Sequence, residues 1–169
     1  MFHTADEFLL LYGGESAATA KALAVLTDAS LSLEKAPGHN NLGDIAWHVA
    51  TAPVYMLNQV GFSLDAGLAE KPVKLTAAAI QATHAKLVEL VKAQAAKLTP
   101  EDLAKVHHVF GMMDWSTALM LTVLLHHEIH HRGQMTVLMR QAGLVVPMIY
   151  GPTKEMSVES LRKEMETKG

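Results

Sequence analysis

The chain has 169 residues, half of them apolar, with 14 Lys and Arg against 17 Asp and Glu, 10 His and no cysteine, which is the profile of one globular domain over residues 1–169. A net charge of -3 with scattered basic residues offers no stripe or patch for a phosphate backbone, so DNA or RNA binding is disfavoured. Without thiols there are no disulfides, thiolate nucleophiles or Cys-bound metals, and any metal must sit on His and carboxylate side chains.

The N-terminal MFHTADEFLL carries acids where a signal peptide carries bases, and no apolar run reaches about 18 residues. The expectation is a soluble, cytoplasmic protein with no membrane contact. Helix formers dominate. A first helix starts at Thr4, whose hydroxyl caps free amides beside Asp6 and Glu7, and is expected to run towards Leu33. Gly13 and Gly14 inside it each lower helix propensity by about 1 kcal/mol and suggest a bend, a break or a close approach by another helix. The stretch from Ala36 to Asn41 is loop chemistry. Asn41 then caps a second helix to about Val60, in which Pro53 removes a hydrogen bond to the carbonyl of Val49 and predicts a kink beyond His48.

Residues Gly61 to Leu75 form a long connection, and Thr76 caps a third helix with Ile80, Leu87, Leu90 and Val91 at helical spacing. Thr99 to Gly111 is irregular or a short turn from Pro100, with no convincing strand anywhere. Asp114 or Ser116 opens a fourth long helix, and Gly143 ends it as a C′ residue with Pro147 beyond. A short amphipathic segment from about Val158 to Thr167 closes the chain. Four long helices in one domain predict an all-α four-helix bundle.

The fourth helix contains LLHHEIHHRGQ, with His126, His127, His130 and His131. Residues four apart share a helix face, so His127 with His131 is one chelating pair and His126 with His130 another. The first pair interrupts the apolar stripe of Thr117, Leu121, Leu124, Met135 and Leu138, and the second the stripe of Leu119, Val123 and Val137. A helix wet on so little of its surface is either central or shared with a second subunit, hence an expected homodimer. On the second helix His48 interrupts the face of Ile45, Ala52, Tyr55 and Gln59. Three neutral imidazoles meeting in a bundle form a divalent-metal site with an open position. An isolated core His is usually just a satisfied packing residue, but two at this spacing pay desolvation twice unless a ligand offsets it. His126 and His130 remain an alternative register or an interface pair. His3, His39, His84, His107 and His108 lack such partners and are expected at the surface or in loops.

The run from His127 to His131 also matches HExxH, where Glu128 would be the base of a metalloprotease. That reading needs a third ligand such as Glu155 or Glu159 and a strand flooring the cleft. In a bundle Glu128 is instead expected to point away from the axis into a surface or interface contact.

HEIHHRGQ, the helix end from Leu138 to Gly143 and Pro147, and the upstream IAWHVATAPVYML together resemble the signatures of the DinB/YfiT-like superfamily of metal-dependent enzymes. The resemblance covers about residues 1–152. It implies up-down-down-up connectivity, frequent dimers, and a divalent ion on His48, His127 and His131. Arg132, Gly133 and Gln134 match the rest of the motif, Gly133 for close helix packing and Gln134 for a hydrogen bond near the site. Proteins resembling this one include thiol-dependent transferases and isomerases using bacillithiol, mycothiol or glutathione. The implied function is thiol-dependent S-transfer to a small-molecule substrate, with a bound water or thiol rather than a side chain as nucleophile. Alternatives are a metal-dependent hydrolase and a non-catalytic metal-binding stress-response bundle. Three imidazoles suit zinc, nickel and iron alike. Tyr12, Trp47, Tyr55, Met112, Met113 and Trp115 are candidates for the pocket mouth.

Overall fold

The computed structural model describes residues 1–33 and 38–154. Helix α1 (Ala5–Ala24) opens with a reciprocal capping box: Thr4 Oγ1 accepts from the Glu7 amide, and the Glu7 carboxylate accepts from the Thr4 amide. It runs unbroken through Gly13 and Gly14 but stops nine residues short of Leu33. There Thr27 starts a separate short turn over Asp28–Ser30 with its own capping box. Asp28 then accepts from the Ala77 amide at 2.8 Å, fastening this turn to the start of the third long helix.

Asn41 caps α2 (Leu42–Leu57), which continues through Pro53 and ends in a short turn over Asn58–Val60 closed by left-handed Gly61. The connection that follows is held by Asn58, whose side chain pairs with both backbone groups of Leu64 at 2.8 Å. Thr76 caps α3 (Ala77–Ala95), and a short α4 (Pro100–Ala104) follows.

The expectation that strands are absent is corrected next. Strands β1 (Val106–Val109) and β2 (Met113–Ser116) form an antiparallel hairpin, with His107 opposite Trp115 and His108 opposite Asp114. Three residues link the strands, and the turn closed by the Met112 amide on the Val109 carbonyl at 3.1 Å takes positive φ at its two central positions, Phe110 at 54° and Gly111 at 66°. A phenylalanine rarely adopts this conformation. Here its amide donates to Gln59 Oε1 at 3.1 Å and its ring meets Trp115 edge-on, contacts that hold it in place. Ser116, rather than Asp114, caps α5 (Thr117–Gln141), and Gly143 at φ 75° turns the chain away.

The four long helices are α1, α2, α3 and α5, and the all-α bundle stands with the hairpin as an appendage. Helix α2 packs on α3 and α5, and α1 packs on α3 and α5, so the ring order is α1, α3, α2, α5. The seam between α2 and α5 is therefore opposite the seam between α1 and α3.

The core is divided in two. One apolar cluster surrounds Phe8, Tyr12, Leu57, Leu87 and Leu121 at the hairpin end, and the other surrounds Leu23, Leu42, Trp47, Ile80 and Met139. Between them lies a belt of buried polar groups: Ser16 and Thr19 on α1, Thr51 on α2, His84 on α3, Glu128 and Arg132 on α5. Buried polar atoms at one level of a bundle are destabilising unless paired, so this belt is where the packing is specific. No described helix is long and apolar enough to cross a membrane. The segment from Val158 to Thr167, with Glu155 and Glu159, lies outside the described residues.

Candidate metal centre

At the level of the polar belt, His48 on α2 faces His127 and His131 on α5. One nitrogen from each ring lies within 4.8 Å of the others, and His48 Nε2 is 2.9 Å from His127 Nε2. The ring centroids are 4.3–4.7 Å apart in all three pairs. Four-residue spacing stacks His127 over His131, and α2 supplies the third ring from across the seam.

The site is more open than a core stripe implies. His48 is exposed, as are Tyr55 and Gln59 on the same face of α2, while Ala52 is buried. His127 and His131 are half-buried. Position 48 sits at the outer lip of the α2–α5 seam, where a ring can reach α5 and water together.

Burial, followed by repulsion from neighbouring imidazoles, lowers the pKa of His127 to about 4. The same two causes, in the same order, lower that of His48. Both rings are thus neutral at pH 7, with lone pairs available for a cation. Nδ1 of His127 is buried without a hydrogen-bond partner among the described residues. Nδ1 of His131 is engaged by Oε1 of Gln134 at 2.8 Å, which leaves Nε2 as its free nitrogen. A convergent, all-imidazole donor set with no carboxylate among the described residues fits a divalent metal ion.

His126 and His130 are both exposed on the adjacent face, outside the cluster. His130 touches His131 ring to ring and accepts from Gln134 Nε2 at 3.1 Å, so it buttresses the site from outside. Among the remaining histidines, His3, His39 and His108 are exposed and His107 is half-buried. His84 departs from the expectation of a surface position: it is buried, because its place on α3 falls on the face turned to α1 and α2.

Glu128 is a second correction. It is buried 100° round the helix from His127, facing α1, where Thr19 donates to its carboxylate at 2.5 Å. Burial raises its pKa. A carboxylate committed to Thr19 inside the bundle is not at the surface, and it is not the base of an HExxH protease. Arg132, 2 % exposed, is tied to the Glu15 carbonyl at 2.9 Å, the Thr19 hydroxyl at 3.0 Å, the Glu15 carboxylate and the Tyr150 hydroxyl. Its role is to lock α5 to α1 and to the chain after α5. Gly133 is exposed with nothing within 4 Å of the Cβ it lacks, so close packing does not explain it.

Tyr12 and Trp47 belong to the two core clusters rather than to a pocket mouth. Tyr55 is 57 % exposed and its hydroxyl donates to the Ala69 carbonyl at 3.3 Å. Met112 and Met113 are exposed on the hairpin, with Trp115 half-buried beneath.

The model of the DinB family matches residues 1–165. The chain belongs to the DinB family. YrdA of Bacillus subtilis (strain 168), itself uncharacterised, is 40 % identical over 160 residues, covering 92 % of this chain and 93 % of that one. A crystal structure of a DinB-like protein from Bacillus cereus ATCC 10987 superposes with TM-score 0.79 at 40 % identity, over 89 % of this chain and 100 % of that one. The DinB-like protein YjoA of Bacillus subtilis, at 17 % identity and TM-score 0.69, shares the fold over 87 % of this chain and 99 % of its own.

Proposed function

We propose that this DinB-family protein is a divalent-metal-dependent enzyme in which His48, His127 and His131 hold the ion, and that its reaction transfers a low-molecular-weight thiol to a small electrophile. The observation that carries it is the convergence of three imidazole nitrogens within 4.8 Å at a solvent-open seam. A divalent ion bound there supplies Lewis acidity, lowering the pKa of a coordinated thiol or water.

The residues favour thiol over water as nucleophile. No carboxylate belongs to the cluster among the described residues, and Glu128 is spent on Thr19. Water, with a pKa of about 16, needs a base or strong activation, whereas a thiol near about 8.5 needs little help. In the transfer, sulfur forms a bond to the electrophilic carbon, the leaving group departs with its electron pair, and the thiol proton goes to solvent. His48 and His127 stay neutral throughout, and Gln134 keeps the free nitrogen of His131 turned inward.

The test is elemental analysis of tag-free protein beside the His48→Ala and His127→Ala variants, followed by turnover of monochlorobimane with and without bacillithiol or glutathione. About one ion per chain, lost in both variants, with turnover only when thiol is added, supports the proposal. Thiol-independent turnover of an ester substrate would make the protein a hydrolase. Bound metal that raises Tm without any turnover would make it a non-catalytic metal-binding bundle.

A further inference from the structure

On the opposite side of the bundle from the three imidazoles, the α1–α3 seam holds a half-open cavity of about 400 Å³, with Ala17, Ala20, Ala24 and Ala85 exposed along its walls. Its walls are mainly Ala, Leu and Val side chains, and its volume falls in the range of small-molecule sites. The polar contribution comes from His84 and Ser16. His84 is only 6 % exposed and lines the cavity; burial lowers its pKa to about 4, and no hydrogen bond reaches it among the described residues. An imidazole this buried, with no protein hydrogen bond among the described residues, can satisfy its ring nitrogens only from the half-open cavity it lines.

Gly13 is the second observation. It lines the mouth of this cavity inside an unbroken helix, and a Cβ there would meet nothing within 4 Å. Neither a bend nor a close helix contact accounts for a residue that disfavours helix, and its place in the lining puts a larger side chain beside the opening.

We infer that the α1–α3 cavity is a second binding site, built for an uncharged, mainly apolar molecule that carries a hydroxyl group. The polar groups define this class. Neutral His84 offers one N–H and one lone pair. The Ser16 hydroxyl donates to the Gly13 carbonyl at 3.3 Å and so presents only acceptor capacity to the cavity. A hydroxyl both donates and accepts, which matches the pair. No unpaired charge awaits an ion: Lys92 and Glu89 at the rim neutralise each other at 3.3 Å, and Gln81 donates to the Leu23 carbonyl at 3.0 Å.

The experiment titrates para-propylphenol, propylbenzene and para-propylbenzoate at pH 7 into the full chain, by calorimetry and ligand-observed NMR, alongside Gly13→Leu, His84→Leu and His127→Ala. Saturable binding of para-propylphenol is expected, with propylbenzene and para-propylbenzoate each weaker by about tenfold, the equivalent of one hydrogen bond. Gly13→Leu, which replaces a poor helix former by a good one and so keeps the fold, is expected to abolish binding. His84→Leu is expected to make the phenol and propylbenzene equal. Binding retained in His127→Ala separates this site from the metal centre, whatever becomes of that proposal. No binding of the phenol, equal affinities for all three probes, or unchanged binding in Gly13→Leu would overturn the inference. So would a change from dimer to monomer in Gly13→Leu by light scattering without probe binding, since the seam would then belong to a second copy.

Discussion

Gln134 grips His131 from one helical turn further along α5: its Oε1 accepts from Nδ1 of His131 at 2.8 Å, while its amide nitrogen donates to His130 Nε2 at 3.1 Å. The first bond fixes the tautomer that leaves a lone pair on the inward nitrogen, as ligands to metals usually require of a neighbour. Replacing Gln134 by Leu is therefore expected to weaken metal binding by about 10–100-fold, read by competition with a chromophoric chelator, whereas Gln134→Glu keeps the acceptor and most of the affinity. Unchanged affinity in Gln134→Leu would remove the residue from the site.

Arg132 follows the last histidine but acts on the fold. Its guanidinium, 2 % exposed, compensates the Glu15 carboxylate and caps the Thr19 hydroxyl that in turn serves Glu128. Arg132→Ala leaves two acids near each other with no cation, so a loss of about 3–5 kcal/mol in denaturant unfolding is expected. Arg132→Lys should recover only part of this, because an ammonium lacks the fork that reaches Glu15, Thr19 and Tyr150 at once. Tyr150→Phe removes two hydrogen bonds, one accepted from Arg132 and one donated to Glu15, and should cost about 1–3 kcal/mol.

Most of the helices and the three imidazoles were legible because caps and four-residue spacing are local signals: Thr4, Asn41, Thr76 and Ser116 each act within three residues of themselves. The hairpin was not, since its turn uses Phe110 where the pattern calls for Asn or Gly, and the compensating contacts come from Gln59 and Trp115. The positions of Glu128 and His84 were hidden for a similar reason. A single polar residue on an apolar helix has no period, and whether it faces water or another helix depends on Thr19 of α1 in one case and on the cavity in the other. The end of α1 was misplaced because Thr27, a competent cap, starts a new turn where helix formers would otherwise continue.

The buried imidazole of His84 makes stability depend on pH. Its folded pKa of about 4 lies below the ordinary 6.5, so the unfolded chain takes up a proton first as pH falls. Its neutral form is present in both states above pH 6.5, and stability is lost as pH falls from there towards 4, by about 3 kcal/mol in all. Tyr12 and Glu128 share a small void with His84, and Glu89 and Lys92 stand at the cavity rim. Urea unfolding at several pH values should show a shallower slope in His84→Leu than in the parent chain over this window. Parallel slopes would mean that His84 ionises freely.

Two glycines on either side of the end of α5 are expected to respond in opposite directions. Gly133 is helical and exposed, with open space where a Cβ would stand, so Gly133→Ala should stabilise the protein by up to about 1 kcal/mol through helix propensity. It should leave the metal affinity as it was, because the substituted face carries none of the three imidazoles. Gly143 has φ 75° and ends the helix in the left-handed region, so Gly143→Ala should cost about 1–2 kcal/mol although nothing lies within 4 Å of it. Thermal unfolding of the two variants decides the matter. A destabilised Gly133→Ala would show that this motif glycine is needed for an approach by another chain or ligand, and space in the lone subunit would no longer describe its surroundings.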